Sequence, residues 1–234
     1  MKKITFAVIL IMTVSLVLTG CFSTTLSGTD TPDASSNQDN VITNTSKIDK
    51  PNAFDGDKAA SQIEVKTYKQ ISDWWNYAFV EITNNSEYDL SLEVDLKYYD
   101  AANELVGADS RSLEAVQSGT TVLLYTMPDE DFATIEYEIS VSEEIFYDCV
   151  VKDLSYEVTS AKQKEIVTIT NNGDYPAEFV ECSMLFFMGE EVVGFAQNYF
   201  TDDDFELKPG KSKTCEMECY ESYDSYKIYI TGRR

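Results

Sequence analysis

The side chains in this 234-residue sequence that could do chemistry are cysteines, clustered acids and a tryptophan pair. Cysteines stand at positions 21, 149, 182, 215 and 219. A thiol can be alkylated, pair as a disulfide or bind a soft metal. Cys21 is set apart from the rest and follows Leu18, Thr19 and Gly20 directly. Cys182 alternates with Met184 and Phe186, and Cys215, Met217 and Cys219 alternate with Glu216 and Glu218. In strands, all three of these thiols would point inward. Cys215 and Cys219 would then lie roughly 13 Å apart along one strand, too far to bond each other. The spacing leaves open a Cys182 bridge to Cys215 or Cys219, or buried free thiols, and it leaves Cys149 unassigned. No C-x-x-C pair is present to hold a metal.

Acids cluster at Asp129-Glu130-Asp131 and at Asp202-Asp203-Asp204. Neighbouring carboxylates in a loop can wrap a calcium ion through oxygen ligands. Neither run has alternate acids with a closing Glu, so a solvated loop is expected and no metal site, with Asp202, Asp203 and Asp204 as the weak candidates. Trp74 and Trp75 are adjacent, so on a strand at most one can fill a core. The other is a candidate stacking surface for a sugar or a peptide.

Histidine is absent, which removes Ser-His-Asp and Cys-His catalysis and every His-ligated zinc site. Carboxylates alone can do acid–base work, but no acids pair at a defined separation. A non-enzymatic chain without a cofactor is therefore expected.

The N-terminus reads Met1-Lys2-Lys3, then an apolar run from Ile4 to Leu18. That run has the length of a secretory h-region and is shorter than the roughly 20 residues a spanning helix needs. Leu18, Thr19, Gly20 and Cys21 match, position by position, the aliphatic–small–small–Cys lipobox, and the segment resembles a bacterial lipoprotein signal peptide. The resemblance implies cleavage after Gly20, a diacylglyceryl thioether on Cys21 and acylation (palmitate) of the new amine. Two or three acyl chains on one residue give stable anchoring, where one would be marginal. The expected location is extracytoplasmic, on the membrane of a Gram-positive cell surface.

Loss of residues 1–20 removes Lys2 and Lys3 and leaves 16 basic against 41 acidic residues, a net charge of −25. Such a surface repels nucleic acid and anionic head groups. Residues 21–58 hold the cysteine and a Ser/Thr/Asn/Asp-rich stretch whose apolar residues, including Phe22, Ile42 and Phe54, follow no period. It reads as a flexible tether, with ends on the order of 35 Å apart.

Beyond it the pattern alternates. Leu90, Leu92, Val94, Leu96 and Tyr98 are separated by Ser91, Glu93, Asp95 and Lys97, the period of a half-buried strand. The second half repeats the first. Val167 to Gly173 echoes Val80 to Ser86, Tyr175 matches Tyr88, and Val193-Gly194 matches Val106-Gly107. Leu207-Lys208-Pro209-Gly210 matches Val116-Gln117-Ser118-Gly119. Asn84-Asn85 and Asn172-Gly173 read as turns, because both residue types tolerate positive φ. The offset drifts from 87 to 91 residues, the mark of a domain duplication. The expected class is all-β: two tandem immunoglobulin-like antiparallel sandwiches over 59–145 and 146–234.

The repeat is similar to the FxLYD-type domain of bacterial surface proteins. Leu96-Lys97-Tyr98-Tyr99-Asp100 keeps that motif's Tyr-Asp end without its Phe, and Leu207-Lys208-Pro209-Gly210 fits its later turn. The second copy, Met184-Leu185-Phe186-Phe187-Met188, keeps neither Tyr nor Asp. The resemblance implies a non-catalytic binding or spacer module, met by a protein or cell-wall partner and not by nucleic acid. The alternative expectation is a small-ligand or calcium-binding lipoprotein accessory to a transporter.

Overall fold

The computed structural model describes residues 53–72, 75–201 and 205–234. Residues 1–52, with the lipobox Leu18, Thr19 and Gly20 and with Cys21, lie outside the described residues, as do Trp74, Asp202, Asp203 and Asp204. The described chain is all-β, built from antiparallel sheets, and residues 50–234 form one compact unit.

The first described element lies upstream of the first strand. Gly56–Ala60 forms one helical turn, α1, opened by Asp55, whose carboxylate accepts a hydrogen bond from the Lys58 amide at 3.0 Å. Ala59 is buried in the first core, and the Phe54 ring meets Tyr88 edge-on at 5.2 Å. Residues 54–58 thus belong to the folded body and not, as composition predicts, to the tether. Two apolar contacts pin a polar stretch that carries no period to announce them.

The first repeat runs β1 (Ile63–Ile71), β2 (Asn76–Asn84), β3 (Leu90–Tyr99), β4 (Leu105–Val116), β5 (Thr121–Thr126) and β6 (Thr134–Glu143). Sheet β1-β2-β5 faces sheet β4-β3-β6. On β3 the alternation read from sequence holds: Leu90, Leu92, Val94, Leu96 and Tyr98 are buried while Glu93, Asp95 and Lys97 are exposed.

The second repeat runs β7 (Leu154–Ala161), β8 (Lys164–Asn171), β9 (Ala177–Met188), β10 (Glu191–Tyr199), β11 (Glu206–Leu207), β12 (Ser212–Glu218) and β13 (Ser225–Arg233). Its sheets are β7-β8-β12 and β10-β9-β13, with β11 pairing the start of β9 beyond β10. The topology is that of the first repeat, with β10 and β11 together in the place of the continuous β4.

The matched asparagines are not turn residues of positive φ; Asn84 and Asn171 are buried ends of β2 and β8. Asn84 Nδ2 donates to the Tyr88 and Val116 carbonyls at 2.8 and 2.9 Å, and Asn171 Nδ2 donates to those of Tyr175 and Leu207 at 2.8 and 2.7 Å. The Oδ1 atoms accept from Ser86 N at 3.0 Å and Gly173 N at 2.8 Å. Each side chain ties its own strand to the next turn and to a distant strand end. The positive φ falls instead on Gly119 and Gly210, whose amides donate to the Asn84 and Asn171 carbonyls.

A second pair of matched glycines makes room for rings. Gly107 lies across from Tyr98 and Gly194 across from Phe186. A methyl group at Gly107 would meet Tyr98 Cδ2 at 3.2 Å, so the ring occupies the space a side chain would need.

Sheet β1-β2-β5 of the first repeat also packs its outer face on sheet β10-β9-β13 of the second. Phe79 and Leu123 from one side and Leu185, Phe187, Val192 and Tyr229 from the other form a third buried cluster. Tyr68, Tyr77, Tyr125 and Phe195 surround it, with Tyr125 and Phe195 rings 4.7 Å apart. The body is four sheets thick. The corresponding outer faces carry polar groups: β8 sets Thr168 against Thr214 at 2.8 Å and Thr170 against Ser212 at 2.7 Å, and β3 sets out Glu93, Asp95 and Lys97.

Candidate binding surface at Trp75 and the joint between repeats

Trp75 lies in the turn between β1 and β2 and is 55% exposed. Its backbone is held firmly. Ser72 Oγ donates to the Trp75 carbonyl at 2.7 Å and accepts from the Trp75 amide at 3.2 Å, and Ser72 N donates to the same carbonyl at 3.2 Å. The matching hairpin of the second repeat closes on Ala161 and Lys164, with no aromatic residue. The exposed indole thus belongs to the first repeat alone.

Trp75 stands between two clefts. One, of about 320 Å³, is lined by Ser72, Trp75, Asn76, Met127, Pro128, Asp129 and Asp131. Asn76 Nδ2 donates to Asp131 Oδ1 at 3.2 Å, while its buried Oδ1 has no partner. The second, of about 340 Å³, sits over the joint and includes Tyr77, Phe195 and Tyr220. Gln70 spans the joint there, donating to the Val193 carbonyl at 3.2 Å. An apolar ring beside carboxylate and amide acceptors suits a ligand with one flat apolar face and several hydrogen-bond donors. Among the described residues no three His, Cys, Asp or Glu side chains converge to hold a metal.

Farther along β2 the joint encloses a carboxylate. Glu81 is 6% exposed, and its Oε2 accepts from Lys227 Nζ at 2.7 Å and from Tyr229 Oη at 2.5 Å, both on β13. Lys227 also donates to Tyr68 Oη at 2.7 Å. Burial acts to raise the Glu81 pKa, but the Lys227 and Tyr229 hydrogen bonds and the Lys227 charge outweigh it and hold the carboxyl below its ordinary value. Burial and the Glu81 contact push Tyr229 strongly upward. Burial works against the Lys227 charge, and the bonds to Glu81 and Tyr68 more than offset it. Glu81 Oε2 takes the Lys227 and Tyr229 bonds, and Oε1 lies 3.9 Å from Lys66 Nζ on β1, so the ionised carboxylate ties β1, β2 and β13 together. Its role is to lock the joint.

A second carboxylate sets the link between repeats. Glu144 accepts from Ser91 Oγ at 2.6 Å and from the Ala115, Phe146 and Tyr147 amides at 2.8, 2.8 and 3.1 Å. Burial acts upward here too, but these bonds win and bring the carboxyl down to about 2.

The described cysteines are free thiols. Cys182 and Cys219 are buried and Cys215 is half-buried against the second core, in keeping with the inward direction read from spacing. Cys149 sits at an isolated bridge to Arg233, and burial raises its thiol to about 12.

Sequence reading located Trp75 but missed Glu81, Lys227 and Tyr229. The signal was present in Phe79-Val80-Glu81-Ile82 and Leu185-Phe186-Phe187. Adjacent bulky residues on one strand require burial on both faces. Tyr68, Tyr77, Tyr125 and Tyr229 line the joint.

No protein-family model and no curated protein matches this chain. Among solved structures, a crystal structure of red sea bream transglutaminase aligns with 73% of this chain at 9% identity and a TM-score of 0.24. The alignment covers 29% of the transglutaminase chain.

Proposed function

We propose that this chain is a membrane-anchored surface lipoprotein whose two repeats act as a non-catalytic binding or spacer module in the cell envelope. The anchor rests on Leu18, Thr19, Gly20 and Cys21 and the apolar segment before them. The module rests on the joint. Two sandwiches locked by Glu81, Lys227 and Tyr229 make a stiff body, and the indole of Trp75 on that body is its best-formed contact point. A protein or cell-wall partner meets this body, and no chemistry is performed on it. The two FxLYD-like repeats are the units of the module.

Fractionation of cells expressing the full chain tests the anchor. Wild type partitions with membranes, and Cys21→Ser moves to the medium or to the soluble extracytoplasmic fraction. Equal partitioning of both would rule the anchor out.

The small-ligand reading draws on the Trp75 cleft with its unpartnered Asn76 Oδ1. A ligand bound there would protect Trp75 fluorescence from an aqueous quencher, and Trp75→Ala would abolish its binding.

A further inference from the structure

We infer that Cys182 and Cys215 are the two halves of a disulfide that staples the sheets of the second sandwich together. The inference rests on the exported location proposed above, because an oxidising compartment must supply the oxidant.

The register sets the two positions in matching places of the duplicated fold. Cys182 pairs Ile230 on β13 as Val94 pairs Ile139 on β6. Cys215 pairs Val167 on β8 as Leu124 pairs Val80 on β2. Val94 and Leu124 are both buried in the first core, one in each sheet. In the second repeat both positions are cysteine, so the exchange is made as a pair.

The edge contacts bring the two strands together. Asn198, the β10 neighbour of Cys182, donates from Nδ2 to the Glu216 carbonyl at 2.9 Å. The Cys215 thiol points back to the Tyr199 carbonyl at 3.7 Å. Cys215 thus meets β10 at Tyr199, one residue along from Asn198, the cross-strand neighbour of Cys182, and packs against the core cluster that holds Cys182. The remaining thiols lie elsewhere. Cys219 donates to the Glu221 carbonyl and sits over Gly194, which pairs Phe186, four residues along β9 from Cys182. Cys149 lies at the Arg233 bridge.

Both cysteines are thiols in this structure, and Cys182 is fully buried, out of reach of an oxidant in the folded chain. The bond therefore closes during folding. The oxidant is a disulfide, carried by a thiol–disulfide oxidoreductase or a small molecule. One cysteine thiolate attacks it, the mixed disulfide is displaced by the second cysteine, and the oxidant leaves as two thiols. Two S–H bonds are lost, one S–S bond forms, and two electrons and two protons pass to the oxidant.

The test uses the full chain purified from exporting cells without reductant, with free thiols alkylated in denaturant. Alkylation of Cys149 and Cys219 alone, with a non-reduced peptide joining the segments around 182 and 215, is the expected result. Reduction should lower Tm by roughly 5–15 °C for a loop of this length. The double variant Cys182→Val, Cys215→Leu, which restores the residues of the first repeat, should fold and lose that sensitivity. Alkylation of all four thiols, or a bridge to another partner, both in cell-derived protein and after refolding in a glutathione redox couple, overturns the inference. A 182–215 bridge formed only in the redox couple upholds the pairing and overturns the exported location.

Discussion

Tyr229 donates its phenolic proton to Glu81 at 2.5 Å across the boundary between the two repeats. The contact joins residues 148 positions apart in sequence and turns two similar sandwiches into one body. A buried acid at a domain joint is stable only while its partners are in place. Tyr229→Phe should cost about 1.5–3 kcal/mol in urea unfolding of residues 53–234. Phe187→Ala, which also opens the joint, should split a single transition into two, read by tyrosine fluorescence and by far-UV circular dichroism. One unaltered transition in both variants would show that the repeats are not coupled through this contact.

The duplicated asparagines should be equally costly to lose. Asn84→Ala and Asn171→Ala each strand one buried carbonyl, one part-buried carbonyl and one amide. Each should destabilise by about 2–4 kcal/mol. Their exposed neighbours, Asn85→Ala and Asn172→Ala, should stay within about 0.5 kcal/mol of wild type. Chemical denaturation of the four variants checks the ranking.

Glu144 gives a pH signature. Its carboxyl is held near 2 in the folded chain against an ordinary value of 4.5. A depressed folded pKa contributes stability that is complete above the unfolded value and is lost as pH falls toward the folded one. Wild type and Glu144→Gln should therefore differ most above pH 5 and converge between pH 4.5 and 2. A Tm difference that stays constant over this range would rule out the linkage.

Gly194 is irreplaceable for a steric reason. A methyl group there would lie 2.5 Å from Cys219 Sγ. Gly194→Ala should cost about 1–3 kcal/mol, and adding Cys219→Ala should recover most of it. Thermal melts of the single and double variants decide this.

Much of each sandwich was legible because β3 writes its two faces in alternate letters, Leu92 and Val94 inward, Glu93 and Asp95 outward. The duplication was legible because Asn84 and Asn171 sit at the same place in matching runs. Their role was not, because an asparagine before a turn reads the same whether its side chain is in solvent or spans two strand ends. The joint was hidden for a related reason. Phe79 and Leu185 are apolar letters on strands already assigned a core, and period two says nothing of a second one. Helix α1 escaped because one turn held by Phe54 and Ala59 is too short for a 3.6-residue period to show. Trp75 was found by residue type alone, and its exposure depends on a turn held by Ser72 that no pattern specifies.

The proposed membrane anchor stands or falls with the fate of Cys21. Mass spectrometry of the N-terminal peptide from chain purified out of cell membranes tests it directly. The account predicts a chain that begins at Cys21 and carries a diacylglyceryl thioether on its sulfur. A chain that retains Met1 to Gly20, or begins at an unmodified Cys21, would contradict it.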